Sequence, residues 1–351
     1  MTKDKEPQMR YKLPLVLTIA FIGIAVIATI ATAQFSWFSG RKPLTPKYQS
    51  KLSLSDIPFD GQQAMKYLNA LCDIGPRCTG SEGMMRQQEY IINHFKQFDC
   101  TVERQRFNYP HPITKEKTLG CNIIVRWRPE RTERILLCTH YDTLPFPMMD
   151  KKDPKGRFVG ANDGGSGTAL LMELARWLNE GQNDSAITTP GAYAINPKYG
   201  VDFVFLDAEE FLFSRNGRYF VGSEFFSVQY ANNPNRGYRY VKGVLLDMIA
   251  DSDLQIYYEK LSMSWRDSAP IAREIWKVAA GLKIKEFIPA TKYEISDDHI
   301  MIHSRGAIPC IDIIDFDYPY WHTTQDVPAN CSALSLAKVG WVIAQWLKET
   351  K

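Results

Sequence analysis

Residues 134–142 read RILLCTHYD, and residues 201–210 read VDFVFLDAEE. Each stretch is an apolar run of strand length that ends in histidine or acidic side chains. Between them, residues 160–167 read GANDGGSG, a glycine-rich turn that opens a predicted helix with Gly167, Leu171 and Leu174 on one face. Apolar strands that alternate with helices predict a mostly parallel sheet covered by helices on both faces.

The same alternation continues on both sides of this region. Helices are predicted over residues 62–72, 81–98, 269–282 and 334–347, with Ser81 as a cap and Pro270 in a first turn. Further strands are predicted over residues 101–109, 122–127, 241–249 and 308–314, and loops over 144–157 and 180–200. We therefore predict an α/β fold, a mostly parallel mixed central sheet flanked by helices, in one catalytic domain of residues 61–351.

The composition excludes several classes of protein. Lys and Arg total 42 and Asp and Glu total 39 among 351 residues, so the net charge of +3 gives no support for a nucleic-acid partner. A hydrophobic fraction of 45% excludes a disordered chain. Seven cysteines without a C-x-x-C pair argue against a disulfide scaffold and a zinc ribbon. We expect a monomeric catalytic domain.

The N-terminal region carries a long apolar run. Residues 13–35 contain no charged side chain and follow Lys3, Lys5, Arg10 and Lys12, so the run is long enough to cross a bilayer. The small residues Ala31 and Ala33 also fit a signal-peptide cleavage site, which leaves both an anchor and a cleaved signal open. We expect a cytoplasmic tail of residues 1–12, the apolar span of residues 13–35, a linker of residues 36–60, and an extracytoplasmic catalytic domain.

Histidine and acidic side chains follow several of the predicted strands. His140 and Asp142 end one strand, Glu209 and Glu210 follow another, and Asp247 ends a third. Taken singly, a histidine at a strand end or a pair of adjacent acids is more often structural than functional. However, the carboxyl ends of strands in an open α/β sheet converge on one crevice. A cluster of carboxylates there would repel itself without a cation, so the order of these residues predicts a metal centre, and zinc suits the donors.

This ordered set resembles the di-zinc aminopeptidase-like metallopeptidase family, from Gly75-Pro76-Arg77 to the C-terminal helix. The resemblance implies that five residues bind metal: His140, Asp163, Glu210, Asp247 and His322. It also implies that Glu209 is the general base and that Asp142 orients His140.

Three local features look closer to the glutaminyl cyclases, the branch that converts N-terminal glutamine of peptides and proteins into pyroglutamate. Residues 244–249 read VLLDMI, residues 296–299 read SDDH, and residues 321–323 read WHT. Two features depart from the animal cyclases: residues 160–167 are closer to the peptidase pattern, and residues 211–215 lack the pocket tryptophan.

The two enzyme alternatives assign different roles to nearly the same residues. As a cyclase, the chain would hold one zinc ion through Asp163, Glu210 and His322. The catalytic residues would then be Glu209, Asp247 and Asp297, and the residues of the substrate pocket would be Trp321, Met248 and Ser296. As an aminopeptidase, it would hold a second zinc ion through His140 and Asp247, and Glu209 would activate water. A third alternative is a metal-free ectodomain of the same fold, which would be expected to lack ligands.

Overall fold

Helices cover both faces of one central sheet. The computed structural model describes residues 48–183, 198–214 and 217–350. Its strands are β1 (Cys100–Pro110), β2 (Lys117–Trp127), β3 (Glu133–His140), β4 (Gly200–Leu206), β5 (Arg239–Asp247), β6 (Ile256–Tyr258), β7 (Phe287–Thr291) and β8 (Cys310–Ile314). Its helices are α1 (Gly61–Ile74), α2 (Glu82–Phe95), α3 (Gly165–Asn183), α4 (Val221–Ala231), α5 (Lys260–Ser264), α6 (Ala269–Gly281), α7 (Asp298–Gly306) and α8 (Ala333–Glu349).

The central sheet has the strand order β1-β2-β4-β3-β5-β8. It is mixed, with a parallel half and an antiparallel half. β4, β3, β5 and β8 run parallel to one another, while β1 and β2 pair antiparallel, and β2 pairs antiparallel with β4. β6 and β7 form a separate two-stranded parallel sheet. The predicted α/β fold with a mixed central sheet is therefore confirmed, and the parallel strands bring their carboxyl ends to one edge.

Alternate residues of the central strands are buried on opposite faces of the sheet. Leu137 of β3 and Phe203 of β4 belong to a large apolar cluster that includes residues of α1, α2, α3, α6 and α8. Cys138 and Val204, the next residue of each strand, belong to a smaller cluster with residues of α4 and α7. Burial on both faces explains why these strands are continuously apolar in the sequence.

The predicted helix boundaries lie close to the observed ones, and the local chemistry explains where the helices begin. The Ser81 hydroxyl oxygen accepts a hydrogen bond from the Met84 N–H at 3.1 Å, as a helix cap does, and Pro270 lies in the first turn of α6. The structure also contains short elements that the sequence pattern does not predict: β6, β7, α5 and α7. Segments of three to nine residues are too short to show a reliable period, so their formation depends on packing.

The predicted linker lies partly on the domain. Ile57 and Phe59 are buried in the large apolar cluster, and the Ser50 N–H donates to Glu286 Oε1 at 3.0 Å. Residues 13–35, the predicted span, lie outside the described residues. Within residues 48–183, 198–214 and 217–350, no helix combines the length and the apolar character needed to cross a membrane.

Candidate metal centre

The predicted site residues are carried by the carboxyl edge of the parallel strands. His140 is the last residue of β3 and Asp247 is the last residue of β5. Glu209 and Glu210 follow the end of β4, and Asp163 lies in the turn that leads into α3. Because these strands are parallel, all five side chains reach the same end of the sheet.

Three of the predicted ligands lie together: Asp163, Glu210 and His322. The Nε2 atom of His322 lies 2.6 Å from Glu210 Oε1 and 3.4 Å from Asp163 Oδ2. All three side chains are buried. The structure thus brings together Asp163, Glu210 and His322, which are far apart in the chain.

His140 extends the cluster on the other side of Asp163. Its Nε2 atom lies 3.1 Å from Asp163 Oδ1 and 3.2 Å from Asp247 Oδ1. The donor atoms of His140, Asp163 and Glu210 all lie within 4.8 Å of one another. The two oxygens of Asp163 therefore face different histidines, an arrangement that can bridge two adjacent metal positions.

Two buried carboxylates hold the ligand loops through the backbone. Asp142 Oδ1 accepts a hydrogen bond from Glu209 N–H at 3.1 Å, and Oδ2 accepts one from Glu210 N–H at 3.0 Å. Asp142 Oδ1 lies 3.8 Å from His140 Nδ1, so its predicted role of orienting that ring stays a prediction. Asp326 acts similarly on the other loop, because its oxygens accept from Asn162 N–H at 2.8 Å and Asp163 N–H at 3.2 Å.

Asp326 is a site residue that the sequence pattern does not reveal. It follows His322 by four residues in a polar turn, where an aspartate is ordinary, and only the folded structure places it beside Asp163. Burial raises the pKa of Asp326 to about 8, with a further contribution from the nearby Asp163. The hydroxyl of Tyr318 donates a hydrogen bond to its Oδ1 at 2.8 Å.

The electrostatics of the cluster favour a bound cation. Burial, together with neighbouring carboxylates, raises the pKa of Asp163 to about 6 and that of Glu210 to about 8. Burial would lower the pKa of His140, but the carboxylates around it outweigh this effect and raise it, whereas burial lowers the pKa of His322 to about 4. Among the described residues, the buried Asp163 Oδ2 has no hydrogen-bond partner. Imidazole and carboxylate donors around such an atom fit a zinc ion.

A second acidic group lies beside the ligands. Burial, together with nearby carboxylates, raises the pKa of Glu209 and of Asp297 well above their usual values. Asp297 caps α7, where its Oδ1 accepts a hydrogen bond from Asp298 N–H at 2.6 Å, and Asp298 in turn accepts one from the Ser223 hydroxyl. Asp312 of β8 is also fully buried, and burial followed by the charge of Asp297 raises its pKa. Each of these carboxyls therefore holds a proton more strongly than an exposed carboxyl does.

An apolar wall adjoins the ligands on the side of His322. The Trp321 ring stacks on the His322 ring with a centroid separation of 3.9 Å and an interplanar angle of 29°. Met248 belongs to the same apolar cluster as Trp321, together with Ile295. Ser296, which is partly exposed, lies between Ile295 and Asp297 in the chain. Two residues predicted for the substrate pocket thus adjoin predicted ligands, because Trp321 stacks on His322 and Met248 follows Asp247 in the chain. The role predicted for Ser296 stays a prediction.

Comparison with known proteins agrees with this geometry. The model of peptidase family M28 matches residues 122–347, the part of the chain that contains the whole cluster. The chain belongs to this family. Its M28 domain supplies His140, Asp163, Glu210, Asp247 and His322 from the expected strand ends and loops.

Individual relatives of this M28 chain include cyclases and exopeptidases. The glutaminyl-peptide cyclotransferase of Bos taurus is 23% identical over an alignment that covers 99% of each chain. The crystal structure of the Fimbriiglobus ruber glutaminyl cyclase is 32% identical, with a TM-score of 0.77, over 89% of this chain and 100% of that one. A Zn-dependent exopeptidase from Parabacteroides distasonis is 28% identical, with a TM-score of 0.72, over 83% and 98%.

Proposed function

We propose that this protein is a zinc-dependent glutaminyl-peptide cyclotransferase, which converts the N-terminal glutamine of peptides and proteins into pyroglutamate and releases ammonia. The observation that carries the proposal is that Glu209 is buried and that Asp142 holds its backbone together with that of the predicted ligand Glu210. Burial also raises the pKa of the Glu209 carboxyl, as do the neighbouring charges of Glu210, Asp298 and Asp297. A carboxyl with a raised pKa is a stronger base than an ordinary glutamate, and it can accept a proton and return it. The similarity to cyclotransferases over nearly the whole chain supports the same function.

The reaction forms one bond and breaks one bond. The α-amine nitrogen of the substrate attacks the side-chain carbonyl carbon of the same glutamine, a carbon–nitrogen bond forms, and the bond to the amide nitrogen breaks. Glu209 takes the proton that the amine loses and gives it to the departing nitrogen, which leaves as ammonia. Asp297 lies next to Asp247 and Asp298 and supports the protonated form of this acidic group.

One zinc ion is sufficient for this reaction. We propose that Asp163, Glu210 and His322 hold it, and that Asp142 and Asp326 fix the backbone of two of these ligands. Zinc in this position supplies Lewis-acid polarisation of the glutamine side-chain carbonyl. The ring of Trp321, stacked on His322, provides an apolar wall that suits a small N-terminal side chain.

A di-zinc aminopeptidase is the second candidate, and one observation favours it. His140 Nε2 lies close to oxygens of both Asp163 and Asp247, so a second metal position is preformed. In that enzyme Glu209 would take a proton from the attacking water instead of from an amine. A metal-free ectodomain has less support, because the described residues retain every predicted ligand.

An assay of the products released from peptides, combined with two variants, separates these alternatives. Gln-peptides should release ammonia, whereas Leu- and Ala-peptides should release no free amino acid. His140→Ala should keep about one zinc ion per chain and a substantial part of the cyclase activity. Asp297→Asn should keep the metal and lower turnover by about 10²-fold, the scale of general acid–base effects. Loss of zinc in His140→Ala together with a silent Asp297→Asn would favour the aminopeptidase.

We also propose that the catalytic domain acts outside the cytoplasm as a monomer and that residues 13–35 anchor it to the membrane. The support for the location is the uncharged run of residues 13–35 behind a positively charged flank. Fractionation of cells that express the full chain tests it, since the protein should sediment with membranes and be digested by protease added outside the cytoplasmic membrane. Recovery of the full chain in the cytosol would contradict this location.

A further inference from the structure

Aromatic and apolar side chains from three segments meet beside the metal centre. We call His111, Ile113, Phe146 and Phe213 the aromatic rim. The Phe213 ring centroid lies 4.6 Å from that of His111 and 6.5 Å from that of Phe146. Ile113 is 64% exposed and Phe146 is 41% exposed, so they are two of only four large hydrophobic residues that are exposed in the described part of the chain.

The rim is built on the same segments as the ligands. Leu144 N–H donates to Glu210 Oε2 at 3.2 Å, and Met149 N–H donates to the His322 carbonyl oxygen at 3.0 Å. The segment from residue 144 to residue 149 therefore connects two predicted ligands, and Phe146 lies between its two attachment points. Phe213 follows Glu210 by three residues. The rim is thus continuous with the site where the N-terminal residue of a substrate would bind.

The turn that carries His111 and Ile113 is held in place by its own hydrogen bonds. His111 N–H donates to the Glu116 carbonyl oxygen at 2.7 Å, and Lys115 N–H donates to the His111 carbonyl oxygen at 3.0 Å. The His111 ring also packs edge-on against Phe211, with a centroid separation of 5.2 Å. Ile113 N–H donates to His111 Nδ1 at 3.2 Å, so this exposed apolar residue is held next to the ring that contacts Phe213. Exposed apolar side chains that are grouped in this way indicate binding.

We propose that the aromatic rim binds the side chain of the second residue of the substrate peptide and selects apolar or aromatic residues there. The proposal rests on the proposed function in that the N-terminal residue is taken to occupy the metal centre. Consecutive Cα atoms of a peptide are about 3.8 Å apart, so the second residue must lie at the immediate edge of that centre. Phe146 and Phe213 come from the segments that form this edge.

The expected effect follows from the burial of apolar surface. Partial burial of a phenylalanine side chain against the rim should make the kcat/KM for a Gln-Phe peptide about tenfold higher than that for a Gln-Gly peptide. A tenfold preference corresponds to about 1.4 kcal/mol. Because the rim does not contact the reacting atoms, the difference should appear in KM and leave kcat nearly unchanged.

The test compares two peptides on the full-length protein and three variants. The peptides are Gln-Phe-Ala-amide and Gln-Gly-Ala-amide, and the variants are Phe146→Ala, Phe146→Leu and Met85→Ala. Met85 is the matched control, because it is 56% exposed on α2 and belongs to none of the segments that form the rim. Phe146→Ala should lose most of the preference through KM, Phe146→Leu should keep part of it, and Met85→Ala should keep all of it.

The results that would contradict the role of the rim differ from those that would contradict the proposed function. Turnover of both peptides at equal KM, or an unchanged preference in Phe146→Ala, would overturn the role of the rim while leaving the cyclase intact. Absence of ammonia from both peptides would contradict the cyclase. In that case calorimetric titration with the same two peptides still tests the rim, because a tenfold difference in Kd that Phe146→Ala removes would support it and equal Kd values would refute it.

Discussion

The substitution Asp142→Asn tests how the structure positions the two glutamates of the active site. Asp142 is fully buried, and each of its oxygens accepts one backbone hydrogen bond, from Glu209 N–H and from Glu210 N–H. Asparagine has nearly the same shape but keeps only one acceptor oxygen. The side-chain NH2 group of the asparagine would face one of the two backbone N–H groups. Because both groups are donors, that backbone N–H would lose its hydrogen-bond acceptor.

The magnitude follows from these two contacts. A hydrogen bond to a charged acceptor stabilises a fold by about 1.5–3 kcal/mol, and a buried donor without a partner costs about 1–3 kcal/mol. We therefore expect the free energy of unfolding to fall by about 2–4 kcal/mol. The affected backbone carries both the carboxyl proposed for proton transfer and a predicted ligand, and a displacement of about 1 Å can lower turnover about 10²-fold.

The assay needs a control that loses stability without touching the site. Asp202 is buried near the opposite end of β4, where it accepts hydrogen bonds from Arg134 Nε at 2.7 Å and the Tyr240 hydroxyl at 2.5 Å. Asp202→Asn should lower stability in chemical denaturation but keep turnover per folded molecule. Asp142→Asn should lower both quantities. If Asp142→Asn kept wild-type turnover after correction for the folded fraction, the positioning role of Asp142 would be refuted.

Three further predictions concern the metal and the core. Glu210→Gln should lose zinc, measured by atomic absorption, together with activity, because a neutral amide is a poor ligand; stoichiometric zinc with full activity would contradict the ligand set. The pKa values of Asp163 and Glu210, about 6 and about 8 in the fold, lie above their unfolded values. The free energy of unfolding of the metal-free protein should therefore fall as the pH rises from 5 to 8. Zinc should raise Tm more at pH 8 than at pH 5, because it replaces the protons on these carboxyls. An increase in Tm on zinc binding that does not depend on pH would argue against these carboxyls as ligands. Phe59→Ala should lower the free energy of unfolding by about 3–5 kcal/mol in denaturant titrations, since the Phe59 ring is buried; a loss below 1 kcal/mol would place Phe59 outside the folding unit.

The sequence predicted the fold and the position of the site because both depend on local patterns. The apolar runs that end at His140 and Asp247 are long enough to read as strands, and parallel strands necessarily deliver their last residues to one edge. The glycine-rich turn before α3 adds Asp163 to that edge by the same reasoning. The resemblance to a known family then gave each residue a role, which the distances allow but which requires the experiments above.

Other features could not be predicted, because they depend on contacts between loops. Nothing in the order of residues indicates that Asp326 accepts hydrogen bonds from Asn162 and Asp163, which lie over 160 positions earlier. The aromatic rim likewise requires the turn at His111 to meet the loop at Phe213. Apolar periodicity in the sequence predicts helices and strands, but it does not predict the contacts between irregular segments.

Backbone conformation at the site shows how strongly these contacts constrain the chain. Ala208 (φ 58°), Met248 (φ 45°) and His322 (φ 56°) adopt the left-handed conformation, which costs a residue with a side chain about 1–2 kcal/mol. Other described residues with positive φ, such as Lys115 and Lys283, lie in turns. In contrast, Ala208 precedes Glu209, Met248 follows Asp247, and His322 is itself a predicted ligand.

Such conformations persist only where the surroundings determine them. The residues after Ala208 are held by Asp142, Met248 is buried in an apolar cluster, and the His322 carbonyl oxygen accepts a hydrogen bond from Met149 N–H. Each contact joins a site residue to a different segment of the fold. Packing and hydrogen bonds elsewhere therefore balance the strain at the three positions. As a result, the predicted ligands and the carboxyl proposed for proton transfer are fixed before a substrate arrives.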